Sequence, residues 1–420
     1  MKGHVRKRGG TWEVYLELGE QPAQRCAACM AKRGRSGGRL LWAEKGRHDA
    51  CPVCGGPLED VQARRQIVLP ERFRTKDEAD ARLTKEKQHA ADGGFVEPSA
   101  LTLGDYLVHE WLPSLAGEEL ATNTTLCYEL HVNKRIVPVI GRVPLQKLTS
   151  RDVRRLATHL ATNKGARGKI LSPATRNQCL VVLHKALGAA VTDGLIRTNP
   201  AHGVKRPKVR RPEMQTWTAE QLRAFLEATK DSRQFPLWRF LAQTGLRRGE
   251  ALGLLLDALD LDAGKVIVRR QRKQAGYKVE EGPMKSDARR TIPIDAATVE
   301  ALRAQLQQQL DDAAQWGDAW QATGHVFTRE DGSPWQPDRV TKLFDKAVKA
   351  AALPRIRLHD LRHTWATLAL RAGVNPKVVQ ERLGHANIRI TLDTYSHVLP
   401  DLQESAAELV AALVDGPGED

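Results

Sequence analysis

The spacing of apolar and polar residues predicts a small sheet followed by a helix at the start of the chain. Apolar and polar residues alternate over residues 11–18, which is typical of a half-buried strand. Residues 64–69 predict a second strand. A helix should follow to about Ala91, because Thr75 and Glu78 form a T-x-x-E capping box. We therefore predict a small β-sheet and helix domain over residues 1–97.

The next hundred residues have a helical pattern throughout. T-x-x-D sequences at Thr102 and Thr149 predict helix starts, Thr122 can cap a third helix, and Ser172 followed by Pro173 predicts the start of a long fourth one. Residues 98–202 should thus form a compact helical domain. The basic, proline-containing stretch 203–213 predicts a linker, which is compatible both with a solvated spacer and with a segment that follows a phosphate backbone.

The last part of the chain, residues 214–420, mixes helices and strands. Alternating stretches at 265–270 and 289–294 predict two strands, with a turn-rich connection between them over residues 274–282. Helical patterns surround them and end with a short amphipathic tail helix over residues 402–414. The fold class is therefore multidomain and mainly α with small β-sheets.

Charge and composition point to a polyanionic partner. The 420 residues carry a formal net charge of +15, and the basic residues are spread along the chain, which favours nucleic acid over a membrane surface. No apolar run approaches the ~20 residues of a membrane span, and no apolar segment follows the basic start as it would in a signal peptide. We expect a cytoplasmic protein without a membrane partner.

Four of the six cysteines form two C-x-x-C pairs. In a reducing compartment such pairs suggest a metal rather than disulfides, and two of them complete a tetrahedral Cys₄ site. A redox pair and an iron–sulfur centre are the alternatives. We predict a structural Zn²⁺ with no catalytic role, because a closed Cys₄ site has no open position, and its ligands would be Cys26, Cys29, Cys51 and Cys54.

A cluster of chemically active residues lies near the C-terminus, in RLHDLRHTWATLALRAGVNPKVVQERLGHANIRITLDTYSH. His359 and Arg362 are three apart on a predicted helix, so both should leave one polar face and meet one ligand. A guanidinium grips phosphoryl oxygens, imidazole exchanges protons near neutral pH, and the Tyr395 hydroxyl is a candidate covalent nucleophile.

The motifs H-x-L-R-H, L-G-H and T-x-x-Y-x-H together resemble the C-terminal signature of the tyrosine recombinases, the phage integrase family. TGLRRGE resembles the first arginine box of that family, and PMKSDARRTIPI resembles the hairpin that carries its lysine. The resemblance implies six catalytic residues: Arg247, Lys285, His359, Arg362, His385 and Tyr395.

This resemblance implies an activity and a domain plan. The enzyme would cleave and rejoin DNA through a 3′-phosphotyrosine intermediate, without ATP or Mg²⁺, and integrate or excise a mobile element or prophage. It would act as a homotetramer on double-stranded attachment sites, with accessory DNA-bending proteins as possible partners. Residues 1–97 would be an arm-type DNA-binding domain with inserted zinc knuckles, residues 98–202 the core-binding domain, and residues 214–420 the catalytic domain.

The resemblance also implies roles within the site. The two arginines and His385 would contact the phosphate, Lys285 would protonate the leaving hydroxyl, and His359 would assist Tyr395. Two other functions fit part of the pattern. One is a type IB topoisomerase-like enzyme that relaxes DNA without strand exchange, and the other is a non-catalytic, zinc-dependent DNA-binding regulator.

Overall fold

The computed structural model describes residues 1–29, 41–42, 48–92, 95–164, 168–209, 214–283 and 289–395, together with Val410 and Val414. The chain divides into two compact units, Met1–Arg210 and Arg211–Asp420, and their boundary falls inside the predicted linker. The predicted tail helix lies outside the described residues except for those two valines. No helix in the described part of the chain is both long and apolar enough to cross a membrane.

The first unit begins with an antiparallel sheet built around one long strand. Strand β2 pairs with its three neighbours, and the sheet consists of β1 Lys2–Arg8, β2 Thr11–Arg25, β3 Leu41–Trp42 and β4 Glu59–Val68. Helix α1, Lys76–Ala91, begins at the predicted Thr75 capping box and packs Leu83 against Val14 and Leu16. The first strand was not predicted, because basic residues dominate it.

A helical bundle completes the first unit. Its helices are α2 over residues 103–114, α3 over residues 122–140, α4 Ser150–Thr162 and α5 Pro173–Thr192. The predicted caps Thr102, Thr149 and Ser172 are confirmed, because each side chain accepts a hydrogen bond from the third residue beyond it. Thr122 is instead the first helical residue, after an Ala121 cap.

Ion pairs join the bundle to the small sheet domain. Glu86 on α1 is only 1% exposed, and its carboxylate lies 2.8 Å from the Arg197 guanidinium, which follows α5. Arg82 is 3.1 Å from the other oxygen of the same carboxylate. The segment between α1 and α2 is held on both sides. The Glu97 carboxylate pairs with the buried Arg65, and the Glu97 carbonyl accepts a hydrogen bond from Gln146 of the bundle.

The second unit surrounds a large apolar core with helices and two small sheets. Its core includes an aromatic cluster of Trp217, Phe225, Trp238 and Phe344. Its helices are α6 Ala219–Ala228, α7 Phe235–Thr244, α8 Arg248–Leu252, α9 Ala296–Trp316, α10 Pro337–Ala350, α11 Asp360–Arg371, α12 Pro376–Leu383 and α13 Ile388–Tyr395.

The strands of this unit correct one prediction. Strands β5 Leu259–Asp260, β6 Lys265–Val268 and β9 Arg290–Pro293 form one antiparallel sheet. The connection predicted as turn-rich is instead a hairpin of β7 Arg270–Ala275 and β8 Lys278–Pro283. Its strands carry few apolar residues, so the alternation that predicts a strand was weak.

Two glycines let three elements of the second unit meet closely. Gly245 ends α7 and Gly384 ends α12, each in the left-handed conformation with a φ of 65°. A Cβ on Gly245 would lie 2.9 Å from the Leu383 side chain, and one on Gly384 would lie 2.8 Å from the Arg290 guanidinium. A side chain at either position would therefore be both strained and crowded.

Candidate active site

Arg247 is held at the start of α8 by a carboxylate of the same turn. It is the N-cap residue, and Glu250 accepts hydrogen bonds from both its backbone N–H at 3.1 Å and its Nη1 at 2.8 Å. The Arg247 side chain remains 40% exposed. Its Nη2 also reaches the Gly384 carbonyl at 3.4 Å. One end of this guanidinium is thus fixed, while part of it faces solvent.

The Glu250 carboxylate is shared with a second arginine. Arg290 on β9 donates to it at 2.7 Å, and Glu250 is 2% exposed. Burial raises the pKa of Glu250, but Arg290 and Arg247 outweigh that effect and the net pKa is lowered. The carboxylate therefore stays charged at neutral pH and braces both guanidiniums.

Arg362 is buried, which differs from the prediction of an exposed polar face. Its guanidinium donates to the Gly245 carbonyl at 2.9 Å and to the Leu383 carbonyl at 2.7 Å, and the residue is 3% exposed. Both carbonyls belong to helix ends that lack intrahelical partners, which makes them available acceptors. Helix α11 is covered on two sides, because Leu361 joins the main core while Ala366 joins a second cluster.

These contacts bring excess positive charge to one place. Arg247 and Arg362 contact the carbonyls of consecutive residues, Gly384 and Leu383, and Arg290 lies beside them. Glu250 pairs directly with Arg247 and Arg290, and its negative charge also acts on Arg362. Burial, followed by the charge of Arg247, lowers the pKa of Arg362 to about 9, so Arg362 remains charged at neutral pH. Such a cluster favours binding of an anion.

Two predicted histidines lie at this cluster as neutral groups. Burial, followed by the charge of Arg362, lowers the pKa of His385 to about 4, and its Nδ1 lies 2.8 Å from Thr391 Oγ1. His359 is the N-cap residue of α11, and desolvation, followed by the charge of His363, lowers its pKa to about 4. Both imidazoles can therefore donate one hydrogen bond to an anion near pH 7.

Tyr395 lies at the end of α13 and packs into a small apolar cluster. It is 1% exposed and has Ala366, Leu370 and Val379 in the same cluster. Its hydroxyl lies 2.8 Å from Nδ1 of His363. Burial raises the pKa of Tyr395 to about 12, against a smaller lowering effect of Arg362. The sequence interpretation missed His363 as a functional residue, although it stands in the same H-x-L-R-H motif.

Lys285 lies outside the described residues, but the strands on either side of it are described. The β7–β8 hairpin ends at Pro283 and β9 begins at Arg290. The hairpin packs tightly on α8, because a Cβ on Gly249 would lie 2.7 Å from the Arg272 carbonyl oxygen. Strand β9, which follows Lys285, thus carries Arg290 of the arginine cluster, and the hairpin that precedes Lys285 packs on the helix that Arg247 caps.

The four predicted metal ligands lie together at the end of the first sheet. Their sulfur atoms all lie within 4.8 Å of one another, and Cys26 and Cys54 are 3.4 Å apart while Cys29 and Cys51 are 3.8 Å apart. Four thiolates bound tetrahedrally to Zn²⁺ would have their sulfurs about 3.8 Å apart. Backbone hydrogen bonds from Gly55 to Cys51 and from Cys51 to Gly56 close the second C-x-x-C turn. The cluster is compatible with zinc.

The second unit thus brings together five of the six residues selected from the sequence. Arg362 interacts electrostatically with Arg247 and Tyr395. His359 and His385 each interact electrostatically with both arginines. A phenol beside paired guanidiniums and neutral imidazoles has the groups that phosphoryl transfer to a hydroxyl needs: a nucleophile, charge stabilisation and proton carriers.

The chain is similar in sequence to one group of known proteins. Residues 215–401 match the model of the phage integrase family. A tyrosine recombinase XerC-like protein from Caldanaerobacter subterraneus subsp. tengcongensis is 29% identical over 355 residues, which cover 80% of this chain and 89% of the relative.

Two solved structures share the fold. The Tn1549 transposon integrase in complex with a circular intermediate DNA has a TM-score of 0.62 at 23% identity, and the match covers 74% of this chain and 100% of that one. A lambda integrase tetramer bound to a Holliday junction has a TM-score of 0.56 at 16% identity, with coverages of 82% and 90%.

Proposed function

The chain belongs to the tyrosine recombinase (phage integrase) family and is a site-specific DNA recombinase that cleaves and rejoins strands, and we propose that Tyr395 is its nucleophile. The Tyr395 oxygen attacks the scissile phosphorus, the 5′-oxygen of the broken phosphodiester leaves, and a 3′-phosphotyrosyl bond holds the cut strand. The 5′-hydroxyl of a partner strand then attacks that bond and releases the tyrosine.

Arg247 and Arg362 are the proposed phosphate-binding groups. A five-coordinate phosphorus concentrates negative charge on its non-bridging oxygens, and fixed guanidiniums stabilise this charge without having to reorganise. The two guanidiniums are held by different groups. Arg247 donates a hydrogen bond to the Glu250 carboxylate, whereas Arg362 donates to two backbone carbonyls. His385 and His359, both neutral, would donate hydrogen bonds to the same oxygens.

Lys285 is the proposed general acid. The leaving 5′-oxygen needs a proton, and an ammonium group next to several guanidiniums gives up its proton more readily than a lysine in water. The position between the β7–β8 hairpin and β9 supports this assignment, because β9 carries Arg290 of the arginine cluster and the hairpin packs on α8, the helix that Arg247 caps.

The proposed reaction uses neither ATP nor Mg²⁺. The energy of the phosphodiester is retained in the phosphotyrosyl bond, so resealing requires no external source. The guanidiniums supply the charge stabilisation that a metal ion supplies in other phosphoryl-transfer enzymes. EDTA should accordingly leave cleavage of a core-type DNA substrate unaffected.

The first unit is the proposed DNA-binding arm and clamp. Residues 1–97 would bind arm-type DNA, with a Zn²⁺ held by the four cysteines that stabilises the end of the sheet, and residues 98–202 would hold the core site. The spacing of the four sulfur atoms supports the metal assignment. The net charge of +15, with basic residues spread along the chain, supports binding to DNA.

Assembly as a homotetramer on two duplexes is also proposed, with DNA-bending proteins as possible accessories. The fold shared with the lambda integrase tetramer supports the tetramer. A topoisomerase-like enzyme would relax supercoiled DNA without joining two marked duplexes. A non-catalytic regulator would bind DNA without a covalent adduct.

The observation that supports this function best is that two arginines from separate motifs contact consecutive carbonyls beside the phenol. The test is to mix the chain with nicked suicide DNA and separate the products on a denaturing gel. The wild-type protein should form a covalent protein–DNA adduct and Tyr395→Phe should form none. Absence of an adduct with the wild-type protein, at DNA concentrations that saturate binding, would contradict the proposal.

A further inference from the structure

The hydroxyl of Tyr395 is paired with an imidazole that the family resemblance did not select. His363 Nδ1 lies 2.8 Å from Tyr395 Oη, and the ring centroids are 5.8 Å apart. The two residues come from different helices, α11 and α13, so packing of the domain creates the contact. The geometry is that of a proton donor and acceptor already in place.

His359, the histidine first chosen to assist the tyrosine, is placed differently. It lies at the exposed N-cap of α11, and its ring meets the edge of the His363 ring with centroids 5.1 Å apart. In the part of the chain that the structure describes, the hydrogen bond of the Tyr395 hydroxyl goes to His363. His359 is thus one ring further from the phenol.

We propose that His363 is the general base that accepts the Tyr395 proton, an inference that rests on the proposed function of Tyr395 as nucleophile. As the phenol oxygen bonds to phosphorus, its proton passes to His363 Nδ1 and the imidazole becomes an imidazolium. The P–O5′ bond breaks, and the 5′-oxygen takes its proton from the general acid. In the rejoining step His363 returns the proton to the tyrosine oxygen as that oxygen leaves.

The surroundings of His363 support this role. The charged or titratable groups around it are Tyr395 on α13, His385 beyond α12, and Arg357, His359, Asp360 and Arg362 on its own helix and the preceding turn. Burial lowers the pKa of His363, against a raising effect of Asp360. The imidazole is therefore neutral near pH 7 and has one free acceptor nitrogen.

The phenol needs such a partner. With a pKa raised to about 12, Tyr395 is almost entirely un-ionised at pH 7 without a base. A positioned general base contributes about 10²- to 10⁴-fold to the rate of a step of this kind. Because the Tyr395 side chain is buried, water is a poor substitute for the imidazole.

The experiment measures single-turnover cleavage of nicked suicide DNA by the full chain, as His363→Ala and His363→Gln beside wild type and Tyr395→Phe. Glutamine can accept a hydrogen bond from the phenol but cannot take its proton, so it separates proton transfer from positioning. We expect both His363 variants to cleave about 10²- to 10⁴-fold more slowly at pH 7, with DNA affinity unchanged.

The dependence of the cleavage rate on pH adds a readout that a structural role would not change. The wild-type rate should fall as the pH drops through the pKa of His363, because the neutral form is the acceptor. That loss should be absent in both variants, whose rates should instead rise with pH as hydroxide or ionised phenol takes over. Thermal unfolding of each variant shows whether it is folded, and His363→Gln provides the test if the alanine variant is not.

Several results would overturn the inference. Wild-type rates and pH profiles in both variants, beside an inactive Tyr395→Phe, would refute the base and leave the proposed function intact. Rate recovery in His363→Gln alone would indicate positioning of the phenol. Faster cleavage by the variants would show that His363 restrains the tyrosine. Absence of an adduct with wild type would remove the proposed function and this inference together.

Discussion

Glu250 and Arg290 form a buried ion pair of 2.7 Å across forty residues of sequence, between helix α8 and strand β9. The same carboxylate holds Arg247 through two hydrogen bonds. One acidic side chain thus connects the first arginine box to the strand that follows Lys285. This relationship makes Glu250 a support for several members of the site at once.

Glu250→Gln should destabilise the second unit by about 3 kcal/mol, because two guanidiniums lose their buried counter-charge. The folded-state pKa of Glu250 is lowered, so its contribution is present above the ordinary glutamate value and is lost as pH falls through the folded pKa. The difference in unfolding free energy between wild type and variant should therefore shrink below about pH 4. Chemical unfolding at several pH values measures it, and a pH-independent difference would contradict the assignment.

Arg362→Lys should lower the cleavage rate by about 10²- to 10³-fold. An ammonium group cannot hold the Gly245 and Leu383 carbonyls and a phosphate oxygen with the planar fork of a guanidinium. Arg371→Lys, an exposed position near the end of the same helix, is the matched control and should cleave normally. Single-turnover cleavage rates on nicked DNA compare the two variants. Equal losses of cleavage rate in both would point to a general charge effect.

Gly249→Ala should destabilise the chain by about 1–3 kcal/mol, because a new Cβ would lie 2.7 Å from the Arg272 carbonyl oxygen and push the hairpin off α8. Gly282→Ala is the matched control in that hairpin, since no atom lies within 4 Å of its added Cβ. Urea unfolding of both variants tests the close approach. Similar urea midpoints for the two variants would contradict the prediction, because they would show that α8 and the hairpin can separate without loss of stability.

Arg197→Ala should lower the unfolding free energy of the first unit by about 1–2 kcal/mol, because Glu86 is buried and would keep fewer partners. Lys185→Ala removes an exposed pair with Glu118 of nearly the same length and should cost under about 1 kcal/mol. Thermal unfolding of the two variants compares a buried with an exposed pair. A larger effect from Lys185 would be inconsistent with the role of burial.

Cys51→Ser should abolish stoichiometric zinc binding, measured by atomic absorption of the purified protein, whereas Cys127→Ser should retain it because Cys127 lies outside the cluster. Adduct formation on core-type suicide DNA should survive the loss of metal, since the proposed catalytic residues lie in the second unit. Zinc-free wild-type protein, or zinc retained in Cys51→Ser, would each refute the metal site.

Local chemistry explains why part of the fold and site was predictable. The helix starts predicted at Thr75 and Thr149 involve residues three apart, so the sequence displays them directly, and both are confirmed. The identity of the site residues came from the family resemblance rather than from periodicity.

Contacts between distant segments explain what was missed. The burial of Arg362 depends on carbonyls 117 and 21 residues away, which no helical pattern reveals. The partner of His363 lies 32 residues further along the chain. The β7–β8 hairpin is rich in polar residues, and its stability comes from strand pairing and from packing on Gly249.

The four-cysteine cluster has a consequence for how this protein can change over evolution. Strands β2 and β4 pair up to Arg25 and Glu59, and the sulfur atoms of Cys29 and Cys51 lie 3.8 Å apart just beyond them. The excursion between these two cysteines therefore starts and finishes at one point. Changes in its length that keep β3 paired with β2 should therefore leave the register of β2 and β4 undisturbed.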